Sequence, residues 1–247
     1  MKYPVLKSAL AALILAGSAP AFASLVQVAG NQVTGTGLGA VNTAVTALDN
    51  GVPGTGNGND IESGCVSYDT ATGNLSAPLF ICQVAGLEGG DNQAINKLYL
   101  ASSISGLTSA GNLAVVVNVS EGQPGGTADL TGLYLSLYNL GTQSLMTFAY
   151  AGGPLTLGDT GGVGQSGDNL FVLDAAQAAA AAGFCPTLSN CVIGGGMQFA
   201  LGTTTATHET MYVAAINSSV PVPEPFSLAL VGAGLFGIGV ARRARQR

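Results

Sequence analysis

Few residues in this 247-residue chain have the types and spacing that catalysis requires. The single histidine, His208, precedes Glu209 in a threonine-rich run, so a site with several histidine ligands and a Ser-His-Asp triad are both disfavoured. The Gly-x-Ser-x-Gly and His-Glu-x-x-His patterns of hydrolases are also absent. We therefore predict that the protein is not an enzyme. A secreted hydrolase remains a third hypothesis, because paired carboxylates can come from distant loops; the candidates are Asp60, Glu62, Asp159 and Asp168.

Two glycine-rich stretches carry acidic residues that could bind a hard cation. Residues 49–64 combine Gly, Asn and Asp, and residues 158–169 contain a Gly-Gly-Val-Gly run. Calcium takes oxygen ligands of this kind, but the first stretch lacks the regular spacing of an EF-hand, and the second is not repeated. We predict solvated surface loops and no resident cofactor. Calcium binding remains an open alternative, with the candidate ligands Asp49, Asp60, Asp159 and Asp168.

The four cysteines predict structural disulfides: Cys65, Cys82, Cys185 and Cys191. The first two lie in apolar runs on either side of a predicted turn, and the last two enclose a short loop. Four cysteines allow three connectivities, of which local pairing is favoured. No Cys-x-x-Cys spacing occurs, and an oxidising compartment favours disulfides over metal thiolates.

The charge distribution separates the ends of the chain from its middle. Lys97 is the only basic residue between Lys7 and Arg242. Twelve of the thirteen acidic residues lie within residues 24–220, so the formal charge of this body is 1 − 12 = −11. Phosphate recognition needs several basic residues on one surface, so we expect no nucleic-acid partner.

The middle of the chain has the period-two pattern of β-strands with one buried face. Leu133, Leu135 and Leu137 alternate with Tyr134, Ser136 and Tyr138. Gly- and Ser-rich turns recur at intervals of roughly 10–15 residues, which is typical of antiparallel sheets in two layers. We predict that residues 24–220 form an all-β, jelly-roll-like antiparallel β-sandwich. The strands are expected at 65–68, 78–84, 97–100, 113–119, 133–140, 145–150, 170–173, 197–201 and 210–216, with one or two more in 24–50, where 40–48 also fits a short helix.

One alanine-rich stretch predicts a single short helix in this body. Asp174 is a favourable N-cap, residues 175–182 have high helix propensity, and Gly183 can adopt the left-handed conformation that ends a helix.

Residues 1–23 have the parts of a secretory signal peptide. A start with two lysines precedes the apolar residues 9–17, which are too few to span a bilayer. The Sec translocon and signal peptidase are therefore expected partners. The small residues Ala21 and Ala23, on either side of Phe22, predict cleavage before Ser24.

The final residues combine a proline-rich motif, an apolar segment and a basic end. Residues 221–225 predict an extended linker, because residues that precede proline avoid the helical conformation. Residues 226–241 carry no charge and predict a transmembrane helix about 24 Å long. Residues 242–247 form a cytoplasmic basic tail by the positive-inside rule. The residues that define the motif and the tail are Pro223, Glu224, Pro225, Arg242, Arg243, Arg245 and Arg247.

This order of parts resembles the PEP-CTERM sorting signal of Gram-negative bacteria, over residues 223–247. The resemblance implies recognition and processing by exosortase. It also implies an intermediate anchored in the inner membrane, followed by transfer to the cell surface or extracellular matrix, often in species that make exopolysaccharide and biofilm. Whether the tail is cleaved or retained as an anchor stays open.

The leading hypothesis is an exported structural protein of the cell surface or of an exopolysaccharide-containing matrix. A carbohydrate- or Ca²⁺-binding surface module is the alternative. Sugar-binding faces usually present aromatic side chains, and the body has no Trp and six Tyr.

Overall fold

The structure, a computed structural model, describes residues 25–28, 41–47, 63–68, 97–120, 126–159, 169–200 and 209–216. Ser24–Val220 forms one compact unit. The predicted signal peptide, the transmembrane helix at 226–241 and the basic tail lie outside the described residues. Within the described ranges, no helix has the length and apolar character needed to cross a membrane.

Antiparallel strands dominate the described residues. The strands are β1 (Val26–Val28), β2 (Asn42–Ala47), β3 (Ser63–Val66), β4 (Tyr99–Leu100), β5 (Leu113–Asn118), β6 (Thr127–Asn139), β7 (Ser144–Ala149), β8 (Leu155–Gly158), β9 (Asn169–Val172), β10 (Cys191–Phe199) and β11 (Glu209–Ala215). The helix α1 spans Ala175–Phe184, and short 3-10 helices span Ala101–Ser103, Ala110–Asn112 and Leu188–Asn190.

The strands form two antiparallel sheets. The five-stranded sheet has the order β1-β9-β5-β11-β2. The six-stranded sheet has the order β3-β10-β6-β7, with β4 also paired to β10 and β8 to β6. The β6–β10 pairing is the longest and runs from Cys191 opposite Asn139 to Phe199 opposite Leu130.

Side chains from both sheets join one apolar core. Val115 and Met211 of the five-stranded sheet and Leu135 and Ile193 of the six-stranded sheet are fully buried members of it. Gly195 shows how closely the sheets approach, because a Cβ atom there would lie 2.5 Å from Met211 Cε across the core and 2.5 Å from Tyr134 O. The prediction of antiparallel sheets with one helix is confirmed.

Several strand boundaries differ from the prediction. Residues 42–47 form strand β2, so the helix considered there is wrong. Ser63 and Gly64 belong to β3 rather than to the preceding loop, and β10 begins at Cys191, before its predicted start. Strand β8 has no counterpart in the prediction, since its four residues are too few to show a clear alternation. The strand expected at 78–84 lies outside the described residues.

The expectation of one buried face per strand is also wrong for the central strands. Every residue of β5 is buried, and so are residues 133–139 of β6. Leu133 and Leu135 belong to the core, so the alternate residue Tyr134 points to the opposite face of the sheet. There Tyr134 and Cys65 form a second, small apolar cluster, in which Tyr134 is only 1 % exposed.

Helix α1 begins as predicted and ends later. The Asp174 side chain accepts a hydrogen bond from the Gln177 N–H (2.8 Å), and the Gln177 side chain accepts one from the Asp174 N–H (3.2 Å), which forms a capping box. Gly183 lies inside the helix and does not have positive φ, so its predicted role as a left-handed terminator is wrong. The reason is tertiary, because Asn139 Nδ2 donates a hydrogen bond (2.6 Å) to the carbonyl of Phe184, the last helical residue.

We predict that Gly195→Ala destabilises the fold by about 1–3 kcal/mol, the usual cost of overpacking a core. The added methyl would contact the Tyr134 carbonyl, which is backbone and cannot rotate away. Gly158→Ala is the control, because a Cβ there meets nothing within 4 Å. Urea denaturation measures both, and equal midpoints would contradict the proposed close approach.

Candidate functional site

The acidic candidates for cation binding are only partly described. Asp159 follows β8, is partly buried, and donates its backbone N–H to Gly126 O (2.8 Å). On the neighbouring strand, Asp129 Oδ1 accepts a hydrogen bond from Thr156 Oγ1 (2.6 Å). Among the described residues, no group of three or more His, Cys, Asp or Glu side chains could hold a metal ion. The other candidates lie outside the described residues: Asp49, Asp60, Glu62 and Asp168.

The six tyrosines of the body, which sequence reasoning considers for sugar binding, are all buried or partly buried. Tyr68 stacks on Tyr138 with ring centroids 4.4 Å apart, and Tyr150 makes an edge contact with Phe171 at 5.6 Å. The remaining ones, Tyr99, Tyr134 and Tyr212, are half-buried or buried. The ring contacts of Tyr68, Tyr138 and Tyr150 contribute to packing.

The one basic residue of the body takes part in a contact between the two sheets. The Lys97 backbone N–H donates to Ala44 O (2.9 Å), and Tyr99 Oη donates to Thr43 O (3.0 Å). Tyr99 belongs to β4 of the six-stranded sheet, whereas Thr43 and Ala44 belong to β2 of the five-stranded sheet. Lys97 Nζ lies 5.0 Å from the centroid of the Tyr99 ring, a cation–π distance. We call these four residues the Tyr99 bridge.

Burial raises the pKa of Tyr99 above its ordinary value of 10.0, because the phenolate would lose solvation in this position. Sequence reasoning does not find the Tyr99 bridge. Thr43 and Ala44 are far in the chain from Lys97 and Tyr99 and share no motif with them, so only the pairing of β4 and β2 with their sheets brings the two pairs together.

The disulfide prediction is confirmed for one pair. Cys185 and Cys191 are bonded and join the end of α1 to the start of β10. Local pairing is therefore correct for these two cysteines. Cys65 is also disulfide-bonded. Cys82, the one cysteine left to pair with it, lies outside the described residues.

Asn139 is a second residue whose role the sequence does not reveal. Its Oδ1 accepts hydrogen bonds from the N–H groups of Gly141 (2.9 Å) and Thr142 (3.2 Å), which closes the turn between β6 and β7. Its Nδ2 holds the end of α1 at the same time. Side chain-to-backbone bonds of this kind are a common way for Asn to stabilise a turn.

His208, the signal cleavage residues, residues 223–225 and the four arginines are outside the described residues. The described part defines the class of the body, which is an antiparallel β domain with a disulfide and an internal aromatic set.

Comparison with known proteins identifies the C-terminal signal. Residues 221–246 match the family model of the PEP-CTERM protein-sorting motif, so the chain carries this motif and the predicted resemblance is confirmed. The motif implies an exported protein that is targeted to the cell surface and has exosortase as its processing partner. No curated protein and no solved structure matches the chain.

We predict that Tyr99→Phe lowers the free energy of unfolding at neutral pH by about 0.5–1.5 kcal/mol, the net value of one hydrogen bond. Because the native pKa is raised, protonated Tyr99 contributes to the stability of the fold. This contribution is fully present below about pH 10, the pKa in the unfolded state, and is lost as the pH rises through the native pKa. The difference between wild type and variant should therefore shrink at alkaline pH. Denaturation series at several pH values measure it, and a constant difference would contradict the assignment.

Proposed function

We propose that the protein is a structural component of the cell surface or of an extracellular matrix that contains exopolysaccharide. The observation that carries this proposal is the PEP-CTERM match at residues 221–246, which addresses the chain to the outside of the cell. The described part of the body supports the proposal, because its aromatic, cysteine and amide side chains make internal contacts.

We further propose that the body acts without catalysis, as a jelly-roll-like sandwich. The sequence supports a non-catalytic role through its single histidine and its lack of hydrolase patterns. A shared apolar core between two antiparallel sheets supports the sandwich. The Cys185–Cys191 disulfide suits a domain that must persist outside the cell.

The proposed route begins with the signal peptide at residues 1–23 and continues through a membrane intermediate. The apolar residues 226–241 would hold this intermediate in the inner membrane, with the arginines on the cytoplasmic side. The proline-rich linker would then expose residues 223–225 to exosortase. We propose that processing removes the apolar helix and releases the body to the surface.

Substitution of the motif tests this route. Pro223→Ala/Glu224→Gln should leave the protein in the membrane fraction with an intact C-terminus, because it removes the restricted backbone and the charge of the motif. Val222→Ala in the same linker is the matched control and should be processed normally. Fractionation with mass spectrometry of the C-terminus measures the outcome. Recovery of intact Arg247 from the surface fraction of wild-type cells would show that the tail is not removed.

The matrix role has a separate test, so that its failure can be told from failure of sorting. Cells without the protein should form a matrix of reduced mechanical cohesion, and wild-type protein should restore it. The Pro223→Ala/Glu224→Gln variant should not restore it, because it stays in the membrane. Rheology of the matrix measures this. Unchanged cohesion in the deletion strain, with normal C-terminal processing of the wild type, would refute the structural role alone.

A further inference from the structure

Among the described residues, strand β7 forms an edge of the six-stranded sheet. It pairs with β6 on one side and has no strand pairing on the other side among the described residues. The Tyr150 N–H donates to Leu133 O (2.8 Å) on the β6 side, whereas Ala149 O accepts from the Leu25 N–H (3.1 Å) on the opposite side. Because backbone direction alternates along a strand, the N–H and C=O groups of Leu145 and Thr147 also point away from β6. The side chains of both residues are exposed.

This edge lacks the usual protection against pairing with another strand. Natural edges carry charges, proline or bulges, or they are short or covered. The sequence contains no charged residue between Asp129 and Asp159, and Leu145, 37 % exposed, is the only exposed large hydrophobic side chain among the described residues.

The other edges of the described sheets are protected. Strand β8 lies on the same side of β6 as β7 does, and it is flanked by Pro154 and Asp159. Its Thr156 hydroxyl donates a hydrogen bond to the Asp129 carboxylate. Strand β3 is buried, β2 is buried apart from its first residue, and β1 has only three residues. Strand β7 is thus the edge that can accept a further strand.

We propose that β7 pairs with β7 of a second copy of this chain, which joins two six-stranded sheets edge to edge. The proposal goes beyond the proposed function and stands on the edge geometry alone, so it would survive failure of the matrix role.

The free backbone groups favour one register. In an antiparallel arrangement about a twofold axis through Met146, Leu145 of one copy lies opposite Thr147 of the other. Both residues have outward N–H and C=O groups, so these two positions form hydrogen-bonded pairs. Met146 of one copy then lies opposite Met146 of the other, and these two residues form a non-hydrogen-bonded pair. This register uses free groups only, whereas a register shifted toward Ala149 would need the carbonyl that Leu25 already occupies.

A second copy fits this edge better than a charged partner. The edge offers no side chain for an ion pair, and a twofold arrangement supplies an equally uncharged strand of the same length. The formal charge of −11 on each body opposes the approach of two copies. Screening lowers this repulsion, because the Debye length falls from about 30 Å at 0.01 M salt to about 8 Å at 0.15 M. Pairing should therefore strengthen as salt is added.

Sedimentation equilibrium of the mature protein, recovered from the surface fraction of its host, tests the proposal. Wild type should show a concentration-dependent dimer that strengthens with salt. Leu145→Lys/Thr147→Lys should weaken dimerisation at least about ten-fold, because two lysines on the edge repel the partner edge. Ala179→Lys/Ala180→Lys, at exposed positions of α1, makes the same change of charge and should behave as wild type. Thermal unfolding confirms that each variant is folded, and Thr147→Lys replaces the double variant if that one is not.

A cysteine variant tests the register. A non-hydrogen-bonded pair places Cα atoms about 4.5 Å apart, within the range of a disulfide. Met146→Cys should therefore give a disulfide-linked dimer under mild oxidation, and Ala180→Cys should not. A wild type that remains monomeric, or equal dimerisation of both double-lysine variants, would overturn the proposal. Loss of the dimer in the edge variant without Met146→Cys cross-linking would overturn the register.

Discussion

The pairing of β6 with β10 holds the six-stranded sheet together. Three successive glycines of β10, Gly194, Gly195 and Gly196, allow close contacts on both faces of this strand. Strand β10 also binds β3 and β4, so every strand of this sheet except β7 and β8 contacts it directly. Gly195 faces the core and lets Met211 of the other sheet approach, while Gly196 lies under the Tyr134 ring on the opposite face. A glycine in a strand usually weakens it through entropy and lost packing. Here the absence of side chains sets the distance between layers, and the Tyr99 bridge then joins the two sheets at another place.

In the described part of the body, the residues with reactive or aromatic side chains take part in internal contacts. The tyrosines fill space between or over the sheets, Lys97 lies against an aromatic ring, and Asn139 stabilises a turn and a helix end together. Removal of one of these hydrogen bonds is expected to cost about 0.5–1.5 kcal/mol of stability. The destination of the protein is specified by a linear motif, residues 221–246.

The sequence predicts those parts of the structure that have a local cause. The alternation in 133–139 and 145–150 locates β6 and β7, and Asp174 locates the start of α1, because patterning and capping act over a few residues. The glycines at 194–196 are typical of a turn, and only contacts with Tyr134 and Met211 make them part of β10. The end of α1 likewise depends on Asn139, which is distant in the chain. The sorting motif is a linear pattern and could be identified from the sequence alone, whereas the Tyr99 bridge has no sequence signature.

The uncharged edge of β7 and the high negative charge of the body have opposite effects on the association of two copies. A strand such as β7, which carries neither a charge nor a proline, would ordinarily be a hazard in a concentrated protein. The twelve acidic residues of the body keep copies apart through long-range repulsion, which salt screens but does not remove at contact. On the proposal that β7 pairs with a second copy, this repulsion would oppose pairing at low salt and would permit it once salt screens the charges. On this proposal, sorting and pairing would be controlled by separate parts of the chain, one a linear motif and the other the unpaired side of a folded sheet.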